Sequence, residues 1–334
     1  MSHRKDVARV VWGALAIMAV AWLIAFVMPI HDAGGKGVIL TISRGASADQ
    51  VYSTITRDHI VSNIVLFRFF SKILGVDRKI KAGKYLFSGR YSDYDVMRLI
   101  SAGKSNLLVA VTIPEGLDIH QMAEIYHHAL GVDSAAFAGE ALSDSMAEIL
   151  AIPSTNLEGY LFPDTYDFYY GTKPGEIMKR MTDEFKLYFN DSLKARARAI
   201  GLTVNQVMTM ASIVEAEAQL DSERAIIASV YYNRLRIHMP LDADPTIEYA
   251  LGEHTEVYYK DLRIKSPYNT YENYGLPPTP ICSPGLKSIM AALYPDTTNY
   301  LYFVANGKGG HVFTVTFQAH KRAIRAYRRA MMRE

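Results

Sequence analysis

The sequence predicts an α+β protein with an N-terminal transmembrane helix, a small α+β module and a larger α+β domain. The first observation is a run without charged side chains at residues 10–30. The second is an alternation of short strand patterns and capped helix patterns over residues 38–150. The third is a change of composition after Pro153, because 17 of the 22 tyrosines follow it. We therefore expect a short tail at residues 1–9 and a separate domain at residues 151–334.

The bulk composition limits the class of protein. The chain has 334 residues, of which 49% are hydrophobic and 21% are charged, and this balance is typical of folded chains. The net charge is only +2, with 36 basic and 34 acidic residues, so no basic surface for nucleic acid is expected. Cys282 is the one cysteine, which excludes a disulfide within the chain.

The uncharged run at residues 10–30 is long enough to span a bilayer. Its 21 residues would form a helix of about 31 Å, which matches the hydrocarbon core of a membrane. Arg4, Lys5 and Arg9 precede the run, so the positive-inside rule leaves residues 1–9 in the cytoplasm and exports the rest. A cleaved signal peptide is the alternative, but its apolar region would be shorter and no Ala-x-Ala site follows. We expect a single-pass anchor in an inner membrane, with the bulk of the chain in the periplasm; the exterior of a Gram-positive cell is the alternative location.

Residues 38–150 carry the small α+β module. Ser47 and Ser92 each precede a helix pattern, and serine side chains cap helices well. The expected elements are strands at 38–42, 84–87 and 107–113, and helices at 47–58, 61–74, 92–102, 118–130 and 135–150.

A short pattern occurs twice in this module. The first copy runs from Thr41 to Val51 and the second from Thr112 to Met122. Each copy reads as a strand, a glycine turn and a capped helix. The pattern resembles the LysM module, a small βααβ unit that binds glycans. Two unrelated strand-to-helix joints are the alternative interpretation, since caps and glycine turns are common.

The larger domain at residues 151–334 combines helices with long loops. Thr203 can cap a helix that reaches Leu220, and Asp221 with Ser222 can cap the next one. The other expected elements are helices at 176–189, 223–237, 285–294 and 319–333, strands at 300–305 and 311–317 around a glycine-rich hairpin turn at 306–310, a polar turn at 241–246 and a long loop at 266–278.

The helix that begins after Thr203 carries the strongest candidate for chemistry. Glu215 and Glu217 stand among small and apolar side chains. Apolar surroundings raise the pKa of a carboxyl group toward the range that a general acid needs. The two residues lie about 200° apart around a helix, so only one can face a given cleft. Glu215 follows Ala211 and Val214 at helical spacing, so we assign the inward direction to it. Two solvated surface glutamates would be the alternative.

Motifs for metal or cofactor chemistry are absent from the sequence. There is no His-Glu-x-x-His zinc helix, no phosphate-binding glycine loop with a lysine, and no Gly-x-Ser-x-Gly elbow. His127 and His128 are adjacent and point in different directions, so they do not form a metal site. Cys282 has no obvious paired histidine for a nucleophilic role. We therefore expect neither a metal nor a cofactor.

Seven short motifs follow one another in the larger domain: NLEGYLFPDTY (156–166), ASIVEAE (211–217), NRL (233–235), DPT (244–246), YNTY (268–271), GLPP (275–278) and YFVANGKGGH (302–311). In this order and spacing they resemble the endolytic murein transglycosylase family, the MltG/YceG-like proteins. The predicted anchor and LysM-like module also stand where this family has them. The family has its catalytic glutamate at the position of Glu215, and Glu217 also matches its pattern. Ala216 and Ala218 differ from the charged and polar residues that the family has there.

The resemblance implies a lytic transglycosylase that cleaves inside peptidoglycan glycan strands. Glu215 would protonate the glycosidic oxygen between N-acetylmuramic acid and N-acetylglucosamine, and the muramyl N-acetyl group would stabilise C1. Glu215 would then take the proton of the C6 hydroxyl, which closes on C1 as a 1,6-anhydro ring, so no second carboxylate is needed. The residues expected to line the cleft are Glu217, Glu158, Tyr268, Asn269 and Tyr271. The implied partners are the glycan strands, the membrane and membrane-bound peptidoglycan synthases.

Two other functions stay open at this point. A water-using muramidase would share Glu215 but usually needs a second carboxylate, which Asp244 or Asp164 could supply. A non-catalytic glycan-binding scaffold for wall synthesis is the other alternative. Such a scaffold would keep its function when Glu215 is replaced by glutamine.

Overall fold

The computed structural model describes residues 2–33, 37–43, 45–103, 106–252 and 257–332. The chain has the predicted α+β composition and forms two compact units. The first unit contains Met1–Ala110, Ala129–Gly131 and Asp167–Thr172. The second unit contains Val111–His128, Val132–Tyr166 and Lys173–Glu334.

The first unit contains helices and two small sheets. Its elements in chain order are α1 (Ser2–Val27), β1 (His31–Asp32), β2 (Val38–Ile42), α2 (Ala48–Arg57), α3 (Ile64–Ile73), β3 (Gly83–Phe87), β4 (Arg90–Tyr91) and α4 (Asp93–Ala102). β1 pairs antiparallel with β4, and β2 pairs antiparallel with β3. The segment from β2 to β3 therefore has the order strand, helix, helix, strand, with its two strands side by side.

Local sequence explains the helix starts of this unit. Ser47 Oγ accepts a hydrogen bond from the backbone N–H of Gln50, and the Gln50 side chain accepts one from Ser47 N–H. Ser92 forms the same reciprocal pair with Asp95. Both predicted caps are confirmed. The helices pack their apolar faces on β2 and β3, and the largest fully buried side chains of this core are Leu40, Ile55, Ile60, Phe67, Tyr85, Met97 and Ile100.

α1 covers most of the run that was predicted to cross a membrane, and it ends at Val27, two residues before Pro29. Over the part of the chain that the structure describes, no helix is both long and apolar enough to span a membrane. Phe26, near the end of α1, is buried and stacks on Phe70 of α3 with ring centroids 4.4 Å apart. This contact fixes the last turn of α1 on the core of the first unit.

The second unit is mainly helical. Its elements, with the two strands that the unit boundary divides, are β5 (Leu108–Thr112), α5 (Ile119–Leu130), α6 (Ser134–Ala141), α7 (Asp144–Ile149), β6 (Thr165–Tyr169), α8 (Pro174–Tyr188), α9 (Asp191–Ala199), α10 (Val204–Glu217), a 3-10 turn (Asp221–Glu223), α11 (Arg224–Arg236), α12 (Asp244–Leu251), a second 3-10 turn (Asp261–Arg263), α13 (Leu286–Leu293), β7 (Tyr302–Ala305), β8 (His311–Thr314) and α14 (Phe317–Met331). β5 pairs with β6. α10 contacts α9, α11, α12 and α13, so it is the central helix.

Two predicted elements differ in the structure. The helix expected at residues 135–150 is divided into α6 and α7, because Ser143 accepts a hydrogen bond from Met146 N–H and starts a new helix. The prediction of a polar turn at residues 241–246 is wrong beyond residue 243, because α12 begins at Asp244. Pro245 fits the first turn of this helix, where a backbone N–H would have no partner within the helix. β6 and α9 were not predicted.

The C-terminal hairpin follows the sequence more closely. β7 and β8 are antiparallel, with Tyr302 opposite Thr314 and Ala305 opposite His311, so the predicted turn at residues 306–310 is confirmed. Both strands are shorter than expected. The last helix begins two residues earlier than expected, because Thr316 caps it by accepting from Ala319 N–H.

We expect Gly159→Ala to destabilise the second unit by about 3 kcal/mol. Gly159 has φ +80°, and a Cβ there would lie 2.4 Å from Pro280 Cβ and 3.2 Å from the carbonyl oxygen of Cys282. Gly139→Ala is the matched control, because that site is open and helical, and it should raise the free energy of unfolding by up to about 1 kcal/mol. Urea titrations measure both, and equal stabilities would contradict this packing.

Candidate active site

α10 brings Glu215 to the edge of the core. Thr203 caps the helix as predicted, since its hydroxyl accepts from Gln206 N–H at 3.1 Å and its own N–H donates to Gln206 Oε1 at 2.9 Å. Residues 207–214 are all buried, so α10 runs through the core on every side. Glu215 follows this stretch in the last turn, and its side chain is only 7% exposed.

Both oxygens of the Glu215 carboxylate accept hydrogen bonds. Arg224 Nη1 donates to Oε1 at 2.9 Å, and the backbone N–H of Gly285 donates to Oε2 at 3.0 Å. The Arg224 side chain is only 11% exposed, so this ion pair is shielded from solvent. The apolar surroundings expected from the neighbouring sequence are therefore not what Glu215 meets. α11 and the start of α13 bring polar groups to it from elsewhere in the chain.

Arg224 is itself held by three partners. Besides Glu215, it donates from Nε to Asp221 Oδ1 at 3.1 Å and from Nη1 to the buried hydroxyl of Ser288. Asp221 also accepts from the ammonium of Lys287. The predicted capping role of Asp221 is wrong, because its carboxylate binds these two cations and makes no cap hydrogen bond to α11. The guanidinium is thus fixed in one orientation toward Glu215.

Glu115 is a second carboxylate beside this ion pair. A Cβ placed on Gly285 would lie 1.9 Å from Glu115 Oε1, so the Glu115 carboxylate occupies the space above the Gly285 Cα. Two backbone hydrogen bonds hold the turn that carries it: Gly116 N–H donates to Ser283 O, and Ser283 N–H donates to Leu117 O, each at 2.8 Å. Burial, and next the charge of Glu215, raise the pKa of the Glu115 carboxyl above its usual value.

Glu217 and Tyr271 line a cavity to which Glu215 does not contribute. Glu217 Oε1 accepts from Tyr231 OH at 2.8 Å, and Tyr271 OH donates to Asp244 Oδ1. These four residues line one cavity of about 370 Å³, and Glu215 is not among its lining residues. Burial raises the pKa of Glu217 to about 7. The 200° separation predicted for the two glutamates on one helix therefore places them on opposite sides of α10.

Glu158 lies inside the protein. Its side chain has no exposed surface, and its Oε2 accepts from Ile119 N–H at 3.3 Å and from Tyr249 OH at 3.2 Å. Its Oε1 has no hydrogen-bond partner in the described part of the chain. Burial, and next the charge of Asp118, raise the pKa of Glu158 to about 8. The position expected for it, on the surface of a cleft, is therefore corrected to the core.

The side chains of Asn269 and Tyr268 form hydrogen bonds that hold the long loop in place. Asn269 is fully buried and donates from Nδ2 to the carbonyls of Leu262 and Ile264 at 3.0 and 2.8 Å. The partly buried Tyr268 shares a hydrogen bond of 2.6 Å between its hydroxyl and that of Thr279. Asn269 is thus corrected from a cleft residue to a support for the loop that carries Tyr271.

Sequence reasoning missed Glu115 and Arg224 as site residues. Glu115 has a local signal, since it stands one residue before Gly116, the glycine of the turn in the repeated strand-to-helix pattern. Arg224 follows Glu215 by nine residues, and no short-range pattern joins the two. The residues that the structure describes contain no cluster of histidine, cysteine and carboxylate groups that could hold a metal.

We expect the buried Glu158 to make stability fall as the pH rises. The unfolded chain releases this proton above its ordinary pKa of 4.5, whereas the folded chain keeps it until about pH 8. The unfolded state then binds fewer protons, so unfolding becomes easier by a few kcal/mol between about pH 5 and pH 8.

Glu158→Gln removes this titration and should flatten that slope in urea titrations. Glu140→Gln, on the exposed face of α6, is the control and should leave the slope as it is in the wild type. An identical pH dependence in Glu158→Gln and the wild type would contradict a protonated Glu158 in the core.

The chain matches a known protein family and two named relatives over most of its length. The model of the YceG-like family matches residues 40–326. The endolytic murein transglycosylase of Bacillus subtilis (strain 168) is 33% identical over 315 residues, which cover 90% of this chain and 87% of that protein. The endolytic murein transglycosylase of Streptococcus pneumoniae (strain R6) is 30% identical over 86% of this chain, which spans only 57% of that longer protein.

A solved structure agrees with these matches. The 2.6 Å crystal structure of a YceG-like protein from Listeria monocytogenes aligns with a TM-score of 0.60 and 32% identity, and the alignment covers 85% of this chain and 98% of that one. The family model and the relatives extend over both compact units. The chain therefore belongs to the YceG-like family, whose named relatives are endolytic murein transglycosylases.

Proposed function

We propose that this protein is a lytic transglycosylase that cleaves the bond between N-acetylmuramic acid and N-acetylglucosamine within peptidoglycan glycan strands. The observation that carries the proposal is the carboxylate of Glu215, which ends a buried helix and is oriented by Arg224 and Gly285 N–H. The matching position in the family is the catalytic glutamate. The names of the relatives support murein as the substrate.

Glu215 acts as the general acid. A carboxylate offers about four acceptor positions, so the hydrogen bonds from Arg224 and Gly285 leave room for one proton. That proton passes to the glycosidic oxygen as the bond to C1 breaks. The muramyl N-acetyl group stabilises C1. The C6 hydroxyl then gives its proton to the Glu215 carboxylate and closes on C1 as a 1,6-anhydro ring, so Glu215 returns to its protonated form. Arg224 and the Gly285 N–H stabilise the negative charge that develops on Glu215.

The remaining residues of the predicted cleft divide into two groups. Glu217 and Tyr271 line a cavity and can contact sugar rings or their N-acetyl groups. Glu158 and Asn269 are buried, so they act by holding the surrounding backbone in place, and Tyr268 does so through Thr279. We place Glu217 and Tyr271 in contact with substrate and the other three behind it.

We further propose that the chain is anchored in the inner membrane, with its bulk in the periplasm beside the membrane-bound peptidoglycan synthases. Large apolar side chains of α1 support the anchor, since Trp12 is 72% and Ile17 is 73% exposed. The strand–helix–helix–strand order from β2 to β3 supports a LysM-like glycan-binding module. A cavity at the β2–α2 turn, lined among others by Thr41, Gly45 and Gln50, would receive the glycan.

A water-using muramidase is the second candidate, and one observation favours it. Glu115 is a carboxylate close to Glu215, and inverting glycosidases use such a pair to activate water. Asp244 and Asp164 do not supply it, because Asp244 binds Tyr271 in the cavity that Glu217 lines and Asp164 accepts from Thr165 N–H in its own turn. The chemical form of the product ends separates this candidate from the transglycosylase.

We expect the full-length protein in detergent to release fragments with 1,6-anhydro ends from purified glycan strands. Mass spectrometry identifies these ends, because they are lighter than reducing ends by one water. Glu215→Gln should lower the rate at least about 1,000-fold while the unfolding transition stays in place. Reducing ends would support the muramidase. Full function of Glu215→Gln in cells would support the non-catalytic scaffold.

We also expect the wild-type chain to float with lipid vesicles in a density gradient at high salt, because apolar insertion is insensitive to salt. A variant that lacks residues 2–30 should stay in the soluble fraction under the same conditions. Release of the full chain by salt alone would contradict an apolar anchor.

A further inference from the structure

We propose that an exposed basic face of α14 binds the anionic headgroups of a lipid membrane. This face, the basic stripe, consists of Lys321, Arg322, Arg325, Arg328 and Arg329. The inference is independent of the chemistry at Glu215, and of the proposed function it uses only the location of the chain at a membrane. An anchored chain stays close to a lipid surface, so even a weak contact with that surface can be occupied.

The charges of the chain are unevenly distributed along the sequence. Residues 297–333 contain seven basic residues and no acidic residue. The rest of the chain has 29 basic and 34 acidic residues, so the total of +2 conceals a basic C-terminal segment. Such a separation of charge creates a positive local potential that the net charge of the whole chain does not show.

Helical spacing places the five cations on one face of α14. Their positions follow the pattern i, i+1, i+4, i+7 and i+8, which covers a sector of about 120° on a helix. Another face packs on the C-terminal hairpin. There His320 stacks on Tyr302 of β7, and Tyr327 and Met331 lie 3.7 and 3.8 Å from a Cβ placed on Gly307. One face therefore holds α14 on the hairpin while another presents the cations.

The cations of the basic stripe have no anionic partner inside the protein. All five residues are exposed, and none of them forms an ion pair with a residue that the structure describes. Helix α8 is different, because Lys179 pairs there with Asp183, four residues on. In α14 the same spacing joins Lys321 to Arg325 and Arg325 to Arg329, and like charges four residues apart destabilise a helix. Support of the fold thus does not explain the stripe.

Two exposed apolar side chains lie beside the basic stripe. Phe317, at the start of α14, is 48% exposed, and Met332, directly after its last residue, is 86% exposed. Lys321 Nζ lies over the Phe317 ring, 4.4 Å from its centroid. A membrane interface accepts both kinds of group, since headgroups attract cations and the acyl boundary takes up apolar side chains. A soluble polyanion would use the cations alone, so we assign a lipid surface.

The residue types of the basic stripe suit phosphate groups. Four of its five residues are arginines, and a guanidinium donates two parallel hydrogen bonds to a phosphate. The stripe is about 12 Å long from Lys321 to Arg329, because a helix rises 1.5 Å per residue. Each Lys or Arg that approaches an anionic membrane strengthens binding about 5-fold, and salt screens this attraction.

The test uses the full-length protein in lipid nanodiscs, made either of phosphatidylcholine alone or of phosphatidylcholine and phosphatidylglycerol in a ratio of about 2:1. Gln318→Cys adds an exposed labelling site within the sector of the stripe, whereas Cys282 is buried. A fluorophore on that site is quenched when it meets lipid headgroups that carry a nitroxide. We expect stronger quenching in the nanodiscs with phosphatidylglycerol, and high salt should remove the difference.

A triple variant removes most of the charge of the basic stripe. Arg322→Gln, Arg325→Gln and Arg329→Gln together should weaken the contact about 100-fold, so the additional quenching should be lost. The helix itself should remain, because glutamine is a good helix former and three like charges are removed. Circular dichroism checks that the helix content is unchanged.

The matched control removes the same number of positive charges from exposed positions outside α14. Arg198→Gln, Arg263→Gln and Lys265→Gln together should leave the quenching as it is in the wild type. An equal loss in this control would overturn the proposal, because the contact would then follow the net charge alone.

The remaining outcomes separate the basic stripe from its rivals. Equal quenching of the wild type in both kinds of nanodisc would show a merely solvated face and overturn the proposal. Binding of soluble poly(glycerol phosphate), without added quenching in anionic nanodiscs, would assign the stripe to a wall polymer and overturn it as well. Absence of the wild type from neutral nanodiscs would instead contradict the proposed anchor. Capture of the wild type but not the triple variant by anionic nanodiscs would then still support the stripe.

Discussion

The structure of the second unit depends on where the carboxylate of Glu215 is held. It lies in the last turn of the central helix α10, accepts from a guanidinium of α11 and from a backbone N–H at the start of α13, and so joins three helices at one point. Because this ion pair is shielded from solvent, loss of Arg224 would leave the charge of Glu215 buried with only the Gly285 N–H beside it. The positions of α10, α11 and α13 and the orientation of the acid are therefore determined together.

The carboxyl groups of this unit show how the surroundings set the role of one residue type. Glu215 meets a cation and a donor, Glu158 meets an apolar core with two weak donors, and Glu217 meets a tyrosine at the wall of a cavity. Glu115 stands on a turn, with its residue exposed. Glu215 combines a fixed cation, a backbone donor and a neighbouring carboxylate, so its orientation is set for proton transfer.

Sequence reasoning predicted the local features well and the long-range contacts poorly. The caps by Ser47, Ser92 and Thr203 and the C-terminal hairpin each depend on a few neighbouring residues, and the chain forms them as expected. Arg224 and Glu115 reach Glu215 only because α11, α13 and a distant turn come together in the fold. The periodicity of a single sequence predicts local elements and does not predict which distant elements pack together. Asn269 was predicted at a surface for a related reason: polar side chains that bind buried carbonyls look the same in sequence as those that face a ligand.

The missing side chain of Gly285 has a consequence for how this site can evolve. Its φ of −74° is available to any residue, so the backbone does not require glycine there. The requirement is one of space, since the Glu115 carboxylate occupies the volume that a methyl group would fill. A methyl group at position 285 would therefore displace the Glu115 carboxylate, the far end of a flexible side chain. The two positions lie 170 residues apart in the chain, yet the size of the residue at 285 determines where the acid at 115 can stand.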